Sequence, residues 1–140
     1  MRSLLPAIVA LLLAGCGSTP TIEVSDAVVK LSPIAGRPGV AYFTLRSGGA
    51  PMKLLAVTSP RIGRIELHES GMSGAMMRMT PIEAADFSSD GELVFKAGGK
   101  HAMLFDVDPA VRPGGTIALT FDFDNAPDVT ITAPVETVGG

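Results

Sequence analysis

The sequence predicts an all-β fold, an antiparallel sandwich or barrel. Apolar residues recur mainly with a period of two, in runs of about four to eight residues, and glycine or proline clusters separate the runs. Composition agrees, because 16 Gly and 11 Pro in 140 residues leave little room for long helices. Beyond the first sixteen residues, no window carries a sustained 3.6-residue stripe.

Each element follows from its own pattern. Ile22-Glu23-Val24 with Ala27 to Leu31 reads as a first strand pair or one bent strand. Pro33, Gly36, Pro38 and Gly39 then make a loop. Val40 to Arg46 is β-branched and aromatic and ends at the Ser47-Gly48-Gly49 turn. Met52 to Val57 and Arg64 to His68 are short strands divided by a Pro60–Gly63 turn, with His68 closing its strand. Met76 to Met79, Glu92 to Lys96, His101 to Val107, Thr116 to Phe123 and Val129 to Ala133 complete the set. Turns at Gly98-Gly99 and Pro113-Gly114-Gly115 separate the later strands.

The first residues have a different character. Arg2 precedes an apolar core from Leu4 to Leu13, and Leu13-Ala14-Gly15 brings small residues up to Cys16. A core of about ten residues is too short to span about 30 Å of hydrocarbon. The segment resembles a bacterial lipoprotein signal, which implies removal of residues 1–15 and lipidation of Cys16. Gly17 stands where an aspartate would direct retention in the inner membrane, so the resemblance implies an anchor in the outer membrane, facing the periplasm. Residues 16–21 are then the lipidated cysteine and a short tether, and 22–140 are one folded domain of ordinary size.

Composition excludes several classes of function. A formal net charge of -3 without a basic run argues against a nucleic-acid partner. One cysteine excludes an intramolecular disulfide and every multi-cysteine metal site, and two histidines exclude an all-histidine zinc site. No Gly-x-Ser-x-Gly elbow is present to support a hydrolase. The expectation is a protein that is not an enzyme.

What remains is a gathering of soft donors. Five of the seven methionines, Met72, Met76, Met77, Met79 and Met103, lie between His68 and two residues past His101. Met is ordinarily a flexible core filler, but this concentration around both histidines is unusual. On a strand His101-x-Met103 places imidazole and thioether on one face, and Met77-x-Met79 repeats the spacing. Neutral thioethers and imidazoles suit Cu(I) and do not suit Ca²⁺ or Mg²⁺. A blue-copper centre would need a thiolate, and the sole cysteine is at the anchor. Copper transport or storage is therefore favoured over electron transfer.

The spacing His68-x10-Met79-x21-His101-x-Met103 resembles the signature of the PCu(A)C-type periplasmic copper chaperones. The surrounding Ile65 to Glu69, Met77 to Pro81, Gly98 to Leu104, Val40 to Leu45 and Arg112 to Gly115 agree with it, so the likeness covers residues 22–135. It implies a cupredoxin-like, antiparallel Greek-key β-sandwich with one Cu(I) near its surface, held by His68, Met79, His101 and Met103. It also implies delivery to a copper-accepting partner, a cytochrome c oxidase subunit at its Cu(A) centre or another copper chaperone. Met72, Met76 and Met77 are candidates for an accessory rim that guides transfer.

Two further groups were weighed. Alternation puts Asp122 and Asp124 on the solvent face of a strand whose Phe121 and Phe123 face inward, an ordinary half-buried strand and not a calcium loop. Glu66 and Glu69 flank His68 as surface charge, or as a hydrogen-bonding partner of its ring. The competing hypothesis is a non-metal envelope module for assembly or adhesion, which tolerates Met79→Leu.

Overall fold

The computed structural model describes residues 15, 17, 19–48 and 51–139. All but one residue of the expected signal segment 1–15, and the expected lipidation site Cys16, therefore lie outside the described residues. Ten strands follow in chain order: β1 (Ile22–Leu31), β2 (Gly39–Ser47), β3 (Lys53–Thr58), β4 (Ile62–Ser73) and β5 (Met76–Pro81), then β6 (Ala85–Asp86), β7 (Glu92–Phe95), β8 (Lys100–Val107), β9 (Thr116–Phe123) and β10 (Val129–Thr137). The alternation that predicts them is the alternation that buries them. In β9, Ile117, Leu119, Phe121 and Phe123 are buried, while Asp122 is half-buried and Asp124 exposed.

The strands are joined in the order β5-β4-β8-β7-β2-β1-β10-β9-β3-β6. β10 carries the chain from one sheet to the other: Val129 to Pro134 pair with β9, and Val135 to Thr137 pair with β1. The two sheets meet over an aromatic centre. Phe43 of β2 stacks on Phe95 of β7 at 4.5 Å between ring centroids and meets Phe121 of β9 edge-on at 4.8 Å. All three rings are essentially inaccessible to water, and removal of such a side chain from water stabilises a fold by about 1.5–3 kcal/mol. The all-β sandwich expected from the sequence is the observed one.

Three details go beyond the expectation, the first by deciding between its two alternatives and the others by correcting it. First, β1 is a single strand with a bulge, where Asp26 takes φ +53° and the register with β2 shifts between Ser25 and Val28. Second, the sheet is not purely antiparallel, since β1 runs parallel to β10 and β7 has one parallel pairing with β8. Side-chain alternation encodes which face a residue takes, not strand direction, so the sequence carried no sign of either. Third, β4 neither begins after Gly63 nor closes at His68; it runs from Ile62 through His68 to Ser73 and returns as β5. Glu69 to Ser73 lack apolar alternation because this end of the ribbon projects beyond the core, where no residue of β5 is buried. Backbone pairing alone extends it.

Candidate metal centre

The site is built by register. β4 and β8 pair antiparallel so that His68 lies directly opposite His101, and Glu66 directly opposite Met103. Paired residues share a face, and so do residues two apart on one strand. His68, His101, Met103 and Glu66 thus stand together on the outer face of this ribbon, while Leu67, Ala102 and Leu104 turn into the core. On the other side of β4, Ser70 pairs with Met79 of β5, which brings that thioether to the same face. β2 closes the opposite flank, since Val40 pairs with Met103.

The result is a shallow depression of about 230 Å³ lined by Met79, His101 and Met103, with Ser70, Gly98, Tyr42, Val40 and Pro38–Gly39 as walls. His68 sits beside it, with ring centroids 5.8 Å from those of His101 and planes tilted by 33°. The four residues singled out by spacing are therefore adjacent. Of the accessory set, Met72 and Met77 lie on the same face farther out along the hairpin, and Met76 pairs with Ser73 on the opposite face. Met76 is thus separated from the rim expected of it, because strand alternation turns it away.

The hydrogen bonds decide what the rings offer. His68 Nε2 lies 3.0 Å from Glu66 Oε2, and His101 Nδ1 lies 3.0 Å from the carbonyl of Gly99. Carboxylate and carbonyl oxygens accept, so each of these nitrogens donates. In a neutral imidazole the other nitrogen is then a bare lone pair. Those nitrogens, His68 Nδ1 and His101 Nε2, are buried and have no hydrogen-bond partner among the described residues. A buried polar atom left unpaired costs about 1–3 kcal/mol, and two side by side call for a shared ligand. Ligating histidines characteristically donate their far nitrogen to a carboxylate or a backbone carbonyl, one of each here.

Charge around the rings is already paired. Glu66 Oε1 forms an ion pair with Arg64 Nε at 3.2 Å, and the Arg64 guanidinium lies over the Phe105 ring at 4.3 Å. Glu69 meets Lys100 at 3.0 Å. Among the described residues no group of three or more His, Cys, Asp or Glu gathers into a metal cage. On the same face stand the thioethers of exposed Met79 and half-buried Met103, which with the two nitrogens make a neutral N2S2 set that favours a soft monovalent ion. Glu66 and the Gly99 carbonyl are the two positioning groups that spacing did not single out. Glu66 was visible as a flanking carboxylate and Gly99 as a turn; each acts on the histidine two residues after it in the chain.

Comparison with known proteins gives this arrangement a context. Residues 22–135 match the LpqE-like family of lipoproteins. A protein of Rickettsia prowazekii (strain Madrid E) is 29% identical over 124 residues, covering 87% of this chain, and the chain spans 64% of that relative's length. Among solved structures, the copper-bound PCuAC domain from PmoF2 superposes with a TM-score of 0.69 at 21% identity, over 86% of this chain and 96% of that one. Cu(I)-DR1885 from Deinococcus radiodurans gives a TM-score of 0.60 at 24% identity, over 89% of this chain and 83% of that one.

Proposed function

The chain belongs to the LpqE-like family and folds as PCuAC domains do, and on that footing we propose that it is a copper chaperone and not an enzyme. It holds one Cu(I) between His68, His101, Met79 and Met103 and passes it to a partner. The observation that carries this reading is the pair of buried, unpartnered nitrogens, His68 Nδ1 and His101 Nε2, flanked by two thioethers. Copper is the cargo. A shallow site of neutral donors releases it by stepwise exchange, each ligand giving way to a donor of the recipient. The names of the copper-bound PmoF2 and Cu(I)-DR1885 structures support the choice of metal.

The setting of the site belongs to the same proposal. Residues 1–15 direct export, Cys16 carries the lipid, and the domain works in the bacterial envelope, facing the periplasm, on a tether anchored in the outer membrane. The recipient is a copper-accepting protein, a cytochrome c oxidase subunit or another chaperone; the His-x10-Met-x21-His-x-Met spacing supports it.

The experiment is a Cu(I) competition titration of the full chain against a chromogenic chelator, beside a His68→Ala/His101→Ala variant. Wild type is expected to withdraw one equivalent, and the variant to lose that binding by more than 100-fold while keeping its sheet signature in circular dichroism. That loss exceeds the roughly 10–100-fold typical when only a group behind a ligand is removed. Wild type that withdraws no copper overturns the proposal and leaves the non-metal envelope module standing.

A further inference from the structure

The hairpin beyond the histidines has a chemistry of its own. Its turn is two residues long, Gly74-Ala75, with φ +64° at Gly74, which fixes the register tightly. In that register Met72 lies directly opposite Met77, and Met79 is two residues along from Met77 on the same face. Directly opposite residues have Cβ atoms about 4.5–5.5 Å apart and diagonal ones about 7–8 Å, within reach of three-torsion thioether side chains. Met72, Met77 and Met79 are 66%, 66% and 56% exposed. They are not core fillers.

Exposed strand positions ordinarily take polar or β-branched residues. Three large apolar side chains clustered on a projecting ribbon therefore ask for another explanation than packing. What methionine supplies there, and leucine or isoleucine does not, is a soft neutral sulfur donor. Among the described residues the same face carries no unpaired carboxylate beside them to attract a hard cation, since Glu66 is tied to Arg64 and His68.

We propose that Met72, Met77 and Met79 form a second, weaker site for a soft monovalent cation, through which Cu(I) reaches and leaves the histidine pair. Met79 is the hinge of the arrangement. It pairs with Ser70, two residues from His68, so it belongs to both donor sets. An ion held by the three thioethers moves inward by exchanging Met72 and Met77 for His68 Nδ1 and His101 Nε2, with no change in its oxidation state. This deepens the copper reading above, yet the thioether site stands or falls by itself.

The test is titration of the full chain with silver(I), followed by the ¹³C-methyl resonances of methionine. Two successive events are expected: the first moves the Met79 and Met103 methyls, and the second moves those of Met72 and Met77 and shifts Met79 again, because its sulfur then bridges the two ions. Met72→Ile/Met77→Ile should abolish the second event and keep the first, and Met76→Ile should keep both. His68→Ala/His101→Ala should still bind one equivalent at the three thioethers. Saturation after one equivalent with Met72 and Met77 unmoved overturns the second site alone. Equal loss of the second event in Met76→Ile also overturns it, because Met76 faces the other way. Absence of any silver binding overturns both this site and the chaperone reading.

Discussion

The two ends of β4, paired with β8 at Ile62 and with β5 at Ser73, treat their polar groups in opposite ways. At the Ile62 end Arg61 and Asp108 are tied to each other and to the backbone. Asp108 N donates to the Arg61 carbonyl, the Arg61 guanidinium donates to Asp108 Oδ2 at 3.1 Å, and Asp108 Oδ1 accepts from Ala110 N at 2.8 Å. Gly63 fits against Asp106 so closely that an added Cβ would come within 2.8 Å of the Asp106 Cβ. Toward the Ser73 end the ribbon runs out past the core, its methionines are exposed, and the two histidine nitrogens have no hydrogen-bond partner among the described residues. The pair His68–His101 stands where burial gives way to exposure. A ribbon anchored at one end and open at the other presents donors without putting the fold at risk.

That contrast is open to experiment from both sides. The largest effect should come from the tied end. Gly63→Ala drives a methyl into the Asp106 Cβ, and overpacking of this kind costs about 1–3 kcal/mol. Thermal melting should show the loss, while the copper titration stays at one equivalent. A loss of copper with no loss of stability would break the division between the ends.

Glu66→Ala should act in the reverse sense. It removes the acceptor that holds His68 Nε2, so the ring is free to turn and Cu(I) affinity should fall about 10–100-fold. His101 offers no matching variant, because its acceptor is the Gly99 backbone. Chelator competition reads the affinity, and unchanged affinity would mean that packing alone orients His68.

The smallest effect belongs to Asp108. Its carboxyl is held below the usual range, first by the Ala110 N–H and then by Arg61. A depressed carboxyl contributes stability only while ionised, so the contribution is present above the unfolded value and fades as pH falls through the folded one. Asp108→Asn should therefore melt slightly below wild type near neutrality. The two curves should converge in strong acid; a gap that persists there would assign the effect to hydrogen bonding alone.

How much of this was legible before the structure divides along the same ribbon. Wherever a strand is half-buried, as in β9 with Phe121 and Phe123 against Asp122 and Asp124, alternation marked both the strand and its inner face. The His101-x-Met103 face was equally legible, because a period of two is local. Beyond His68 the pattern ended, since Glu69 to Ser73 bury nothing and so carry no hydrophobic signal. β6, at two residues, is too short to have a period. The meeting of His68 with His101 depends on a pairing between distant strands, which no local pattern encodes. The separation of Met76 from its neighbour Met77 is a local matter of alternation, whereas the placing of Met72 opposite Met77 follows from a register fixed by a two-residue turn.

The tautomers of the two rings have one more consequence. Each imidazole directs its proton away from the depression, to Glu66 in one case and to Gly99 in the other, and the thioethers carry no proton at all. A monovalent ion entering that set when both rings are neutral would displace no hydrogen ion and meet no anionic ligand. Its whole positive charge is added to the outer surface of the ribbon. The loaded and empty molecules thus differ by one elementary charge at a fixed place on a shared scaffold, and an acidic docking surface can distinguish them without any change of shape.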